Sequence, residues 1–201
     1  MATPDPGDQF ARTAPGGITQ MAGQHTLQET ERAVAERLSG MAIDVSAMAG
    51  VSNVYRAAGA VRNHFERTVL APHDLTWTAW VVLWVVWVWA DIETRHVAAE
   101  AGISKGTLTG VATTLEGRGL LRRRTHPDDA RRVLLSLTPT GGRLMKRLFP
   151  AFNQQEAFVI RALSADELRV LTDALRKIVL GLEEPEPAPA PAPRRARRTR
   201  S

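Results

Sequence analysis

The stretch from Ser104 to Thr138, SKGTLTGVATTLEGRGLLRRRTHPDDARRVLLSLT, constrains the fold most, because it moves from helical periodicity to two short apolar runs separated by a basic turn. Leu108, Val111, Ala112 and Leu115 recur at helical spacing and predict a face turned to a core. Lys105, Gly106, Thr109, Gly110 and Thr113 then fall on the opposite, polar and uncluttered side. Ser104 predicts the N-cap, since its hydroxyl accepts from the unpaired backbone N–H groups of the first turn, and Ile103 with Leu108 stands at hydrophobic-staple spacing. Gly119 supplies a left-handed residue to end the helix. Beyond it, Leu120 to Arg124 and Val133 to Leu137 read as strands around the turn His126 to Arg132.

Upstream, Arg95 to Ala101 reads as a short helix, Gly102 ends it, and Ser104 opens the next within a few residues, which is helix-turn-helix punctuation. With the basic hairpin behind it, this is the outline of a winged helix. The segments GISKGTLTGVATTLEGRGLLRRR, then DARR, then LLSLTPTG resemble the signature of the multiple antibiotic resistance regulator (MarR) family. That signature is a recognition helix followed by Gly-Leu, a basic strand, Asp-x-Arg, a second strand and Leu-Thr-x-x-Gly. The resemblance runs from about Asp44 to Leu182. It implies a mainly α fold with a small β-hairpin wing: a winged helix-turn-helix at 74–138, flanked by N- and C-terminal dimerisation helices at 26–70 and 140–182.

In a winged helix-turn-helix the second helix enters the major groove, its N-terminal residues nearest the base edges and its positive dipole end suited to phosphate. Ser104, Lys105 and Thr107 are placed for that role. Thr109 and Thr113, one turn apart, offer a hydroxyl to bases or a methyl group to thymine. Relatives in the family often carry a longer polar residue, frequently Arg, at the position of Gly110, and an acidic or polar one at Ala112. Gly110 therefore marks either close backbone approach to DNA or tolerance at a solvent face. The resemblance also aligns Arg131 with the family's wing arginine, two residues after Asp129, whose carboxylate would hold the wing or the arginine in place. Insertion into a narrow A·T-rich minor groove is the implied role. Arg132 adds a phosphate contact. Arg122, Arg123 and Arg124 alternate faces along a strand, so at least one is expected toward the DNA and the others solvated or paired.

The flanking regions read as helices. Leu27 to Met41 carries Leu27, Val34, Leu38 and Met41 among charged residues, and a long helix runs from about Asp44 to Val69 until Ala71-Pro72 stops it. Gly142 to Phe158 and Asp166 to Leu182 follow at the far end, the latter with a Ser164/Glu167 capping box. The resemblance implies that the long first helix and the last two intertwine with a second subunit, and a two-fold dimer is the usual reader of a palindromic site. Residues 1–25 are expected to be disordered. At 183–201 a Pro/Ala spacer carries Arg194, Arg195, Arg197, Arg198 and Arg200, equal in number to the whole net charge of +5. This tail is either a mobile arm for DNA phosphates or a solubilising end.

The segment LTWTAWVVLWVVWVWAD holds all five tryptophans. Its uninterrupted apolar run, Ala79 to Ala90, is far below the roughly 20 residues that cross a bilayer, so a buried helix is expected and no membrane partner. Trp77, Trp80, Trp84 and Trp87 fall within an arc of roughly 80°. Because the resemblance places this helix beside the family's effector pocket, Tyr55, His64, Trp80, Trp84 and Trp87 form a candidate site for a flat or phenolic ligand. For any single tryptophan, core packing is the reading that its residue type favours.

Composition narrows the remaining classes. The chain has no cysteine, which removes disulfides, thiol redox sensing and Cys-ligated zinc. No close histidine pair appears, so no metal site or cofactor is expected. No signal-peptide pattern opens the sequence, and the cytoplasm is the expected compartment. The absence of a P-loop, nucleophile elbow or dinucleotide fingerprint leaves no catalytic residue to name. The expectation is a homodimeric regulator, a repressor that binds an inverted-repeat operator on double-stranded DNA and leaves it when a small aromatic effector binds. The alternative is a winged-helix dimer acting mainly through protein contacts, with only nonspecific DNA binding.

Overall fold

Apart from the short helix Thr94–Glu100, each described α-helix starts where a side chain accepts from one of its first orphan N–H groups. In the computed structural model, which describes residues 25–183, Thr26 and Glu29 form a capping box at the start of α1 (Leu27–Arg37). Asp44 caps α2 (Val45–Phe65) by accepting from the Ala47 N–H at 2.9 Å. α1 is shorter than the sequence suggests: Gly40 adopts φ +84° and Met41 lies in the connection to α2. α2 runs on through a π-turn (Glu66–Leu70) and a 3-10 turn (Ala71–His73), where Pro72 stops it. The expected disordered start and the spacer with its basic tail, 1–24 and 184–201, lie outside the described residues.

The described chain divides into two compact units, up to Gly142 and from Arg143 onward. The first is built on α3 (Trp77–Trp89), capped by Thr76 and buried at Ala79, Trp80, Val82, Leu83, Val85 and Val86. A helix with no polar face needs protein on several sides, and α3 has it, packing on α4 (Thr94–Glu100), α5 (Lys105–Gly117) and β3 (Asp129–Leu137). No single described helix is long and apolar enough to cross a membrane.

The sheet has three antiparallel strands in the order β1-β3-β2. β2 (Leu121–His126) pairs with β3 from Leu121↔Leu137 to His126↔Asp129. The expected seven-residue turn is thus only Pro127-Asp128, and both strands run farther into the wing than apolar residues alone indicate. β1 (Ile92–Glu93) was not expected from sequence; it adds to the other edge of β3, with Ile92↔Leu135 and Glu93↔Leu134 in register. The link from α3 into β1 passes through Ala90 and Asp91 at φ 49° and 22°. Asp91 is secured there by bonds to the Ser136 hydroxyl and the Arg124 guanidinium, the latter at 2.7 Å.

Past β3, the Leu-Thr-x-x-Gly segment has a steric explanation. Thr138 Oγ1 donates to the Gly119 carbonyl at 2.6 Å and accepts from the Gly141 N–H at 3.0 Å, drawing the first turn of α6 (Pro139–Ile160) onto the start of β2. A Cβ on Gly141 would stand 2.1 Å from the Leu120 carbonyl oxygen, so only glycine fits. In the second unit, α6 continues with Pro150 in its interior, and α7 (Ala165–Glu183) opens on the expected capping box between Ser164 and Glu167.

Candidate nucleic-acid interface

α5 is fixed at both ends. Ser104 caps it through the Thr107 N–H at 3.0 Å, and its hydroxyl lies 2.9 Å from Thr107 Oγ1. At the far end Arg118 donates to the carbonyls of Asp74 and His73 at 2.6 and 2.7 Å, tying the helix exit to the turn before α3. Gly119 then takes φ +65° and releases the chain into β2. Leu108, Ala112 and Leu115 are buried, whereas Lys105, Thr107, Thr109, Gly110 and Thr113 are exposed. Lys105 makes no ion pair with any described residue. Ala112 is 1% exposed, so its departure from the usual polar residue concerns packing and not base contact.

The three strand arginines separate as pleating requires. Arg123 faces α5, donating its backbone N–H to Glu116 Oε1 at 3.0 Å and its guanidinium to the other carboxylate oxygen. Its Nη2 also lies 3.2 Å from Thr113 Oγ1. Arg124 goes to Asp91, and Arg122 is exposed. On the wing, Arg131 stands 91% exposed with its Nε 3.2 Å from Asp129 Oδ1, and the same carboxylate oxygen accepts the Arg131 backbone N–H at 3.0 Å. These bonds hold the Asp129 carboxyl below its ordinary range, the backbone contribution leading.

Arg132, expected as a phosphate contact, is engaged inside the protein instead, its guanidinium paired with Glu93. Glu93 also meets Arg95 at 3.0 Å. The hydrogen bond from Arg132 is the main reason that the Glu93 carboxyl titrates at about 2. Neither the Arg132–Glu93 tie nor the Arg123–Glu116 clamp was foreseen. The first joins residues 39 apart in sequence, and no local pattern signals it. The second was partly readable, as an acidic residue in the last turn of a helix followed by a basic strand.

Between α5 and the wing lies a groove of about 500 Å³, lined by Lys105, Thr109 and Thr113 on one side and Arg123, Arg131 and Val133 on the other. The open helix face, the groove and the projecting arginine all belong to the first unit.

The proposed effector residues are placed differently. Trp80 is 4% exposed and stacks with Trp84 at 6.3 Å, and Trp84 meets Trp87 edge-on at 5.6 Å. Trp84 and Trp87 are half-buried. His64 is half-buried against Phe65, whose ring lies 6.1 Å from Trp77. Tyr55 stands 77% exposed, sharing one side of α2 with the exposed Val51 and Val54. Among the described residues no group of three His, Asp or Glu is placed to hold a metal.

These features define a winged helix-turn-helix DNA-binding protein. The model of the MarR family matches residues 75–133. The HTH-type transcriptional regulator YwaE of Bacillus subtilis is 35% identical over 153 residues, covering 76% of this chain and 86% of that protein. The chain belongs to the MarR family, whose members regulate transcription and are not enzymes. Among solved structures it resembles the PcaV transcriptional regulator of Streptomyces coelicolor in complex with its natural ligand. That match has a TM-score of 0.60 at 27% identity and covers 70% of this chain and 98% of the other. It also resembles BpsR of Bordetella bronchiseptica, whose DNA binding is regulated by 6-hydroxynicotinic acid, with a TM-score of 0.59 at 27% identity, over 64% and 96% of the two chains.

Proposed function

We propose that this chain is a homodimeric repressor that binds an inverted-repeat operator and leaves it when a small aromatic effector binds. The observation that carries the DNA half is the projection of Arg131 from the wing across a groove from the exposed face of α5. Ser104, Lys105, Thr107, Thr109 and Thr113 meet the major groove, and Arg131, braced by Asp129, enters the minor groove. Arg132 anchors the wing strand and reaches phosphate only by giving up Glu93.

Dimerisation is supported by uncovered apolar residues on helices at both ends of the described chain. α2 exposes Val45, Val51, Val54 and Tyr55, and α7 exposes Val170, Ile178, Val179 and Leu182. A second copy is the cover that a two-fold reader of DNA requires.

The effector half draws on PcaV and BpsR, both of which respond to or hold a small ligand. In this chain the half-buried Trp84 and Trp87 offer aromatic surface on α3, which packs directly on α5, while Trp80 is buried on the same helix and His64 stands near the end of α2. A ligand seated there releases DNA to the extent that it prefers the nonbinding arrangement. Screening hydroxylated aromatic acids against tryptophan fluorescence and operator affinity tests this half, and a compound set that moves neither counts against it.

The DNA half is tested by selecting from random duplexes at near-physiological salt. Enrichment of an inverted repeat with half-sites about one helical turn apart is expected. Salt-sensitive retention without enrichment would put the alternative, action through protein contacts, ahead.

A further inference from the structure

At Thr109 and Thr113 the outward face of α5 has no hydroxyl proton left to offer a base, which leaves Lys105 as the charged donor on that face. Thr109 Oγ1 donates to the Lys105 carbonyl at 2.9 Å, and Thr113 Oγ1 donates to the Thr109 carbonyl at 2.9 Å. A hydroxyl carries one proton, so both are spent on the helix backbone. The Thr113 oxygen is further occupied by Arg123 Nη2 at 3.2 Å, and that nitrogen lies 3.3 Å from the Thr109 carbonyl. Arg123 is in turn gripped by Glu116 through its backbone N–H and its guanidinium. A threonine whose Oγ is turned back along the helix has its χ1 set, and the Cγ2 methyl becomes the group directed off the helix. Between the two threonines the surface is open: a Cβ on Gly110 would meet nothing within 4 Å.

We propose that α5 recognises the 5-methyl group on the major-groove edge of a pyrimidine, through the methyl groups of Thr109 and Thr113. Arg123 is the positioning residue that keeps Thr113 in this rotamer. The inference rests on α5 lying in the major groove, as proposed above. It assigns the groove-facing threonines to apolar contact in place of hydrogen-bond readout, and it gives the clamp from β2 a part in specificity. A 5-methyl group is carried by thymine and by 5-methylcytosine, and both present it at the same place.

The test uses the full chain and a duplex chosen by selection from a thymidine-containing random pool. Deoxyuridine then replaces thymidine one position at a time, which removes the methyl and leaves base pairing intact. At one or two positions in each half-site, uridine should weaken wild-type binding about fourfold, as expected for one buried methyl. Thr109→Ser and Thr113→Ser keep the back-bonded hydroxyl and lack the methyl, so each should abolish the uridine penalty at its own position. Arg123→Lys should shrink the penalty at the Thr113 position and spare the Thr109 position, a pattern that general loss of structure does not produce. Placing cytosine or 5-methylcytosine at the sensitive positions identifies the source: recovery by 5-methylcytosine assigns recognition to the methyl on either base, and recovery by thymine alone assigns it to thymine. A uridine penalty that is absent everywhere, or unchanged in both serine variants, overturns the proposal while leaving DNA recognition standing. Failure of the thymidine pool to yield any preferred sequence overturns the placement of α5 as well.

Discussion

The DNA-reading lobe and the helices α1, α2 and α7 use the same amphipathic pattern with opposite results, whereas α6 buries Leu144, Met145, Leu148 and Phe152. In the lobe, Leu108, Ala112, Leu115, Leu121 and Leu135 are 3% exposed or less. In α1 and α7 no residue is buried, and in α2 only Phe65 is. Helical spacing of apolar residues states which face seeks cover and is silent about what supplies it. The lobe finds its cover within one chain, and the bare faces of α2 and α7 support the two-chain assembly proposed above.

Charged groups differ in the same way. In the lobe, Glu93, Glu116, Asp91 and Asp129 each hold an arginine that fixes a strand, a helix or the wing. On α7 the pairs Arg169–Asp166 and Arg176–Asp173, at 2.9 and 3.6 Å, are largely exposed and contribute little to stability.

Leu135→Ala should have the largest effect, because Leu135 is 0% exposed and lies in β3 between the other two strands. A loss of about 2–5 kcal/mol in urea unfolding is expected, and an unchanged midpoint would mean that the lobe does not depend on this core. Arg131→Ala should cost about 1–3 kcal/mol of operator binding and relax the preference for A·T-rich flanks. The melting temperature should stay put, since the side chain is 91% exposed. A protein that melts earlier yet binds as before would reverse the assignment. Ile178→Ala, on the exposed side of α7, should raise the dimer dissociation constant roughly tenfold, about 1–2 kcal/mol, in sedimentation runs. Unaltered self-association would take this face out of the interface.

The smallest effect concerns acid. The Glu93 carboxyl is held at about 2, against an ordinary 4.5, mainly by the bond from Arg132. A depressed carboxylate stabilises the fold fully above the unfolded value, and that contribution is lost as pH falls from about 4.5 toward 2. Glu93→Gln should therefore make the decline of stability with pH shallower over that window. Superimposable pH profiles for the two proteins would show that this pair does not hold the wing strand.

How much of this could be read in advance follows from the range of each interaction. Ser104, Gly102, Gly119 and the Ser164/Glu167 box act within one turn, and each appears where the sequence places it. The apolar cores of α3 and α5 were likewise readable from spacing. β1 was not, because two residues carry no period and the strand exists only through pairing with β3. The wing turn was drawn too wide for a related reason: His126 and Asp129 are polar but pair across the two strands, beyond a register shift after Thr125↔Val133. At the interface, exposure of Thr109 and Thr113 followed from periodicity and the choice of Arg131 from the family resemblance, whereas the diversion of Arg132 to Glu93 and of Arg123 to Glu116 depends on tertiary placement.

In the proposed assembly a lobe complete within one chain is carried twice, by paired helices, to two half-sites. Sedimentation equilibrium of the full chain with its selected duplex tests this directly. Two chains per inverted repeat are expected, falling to weak binding when one half-site is scrambled. One chain per duplex, with affinity indifferent to the second half-site, would contradict it.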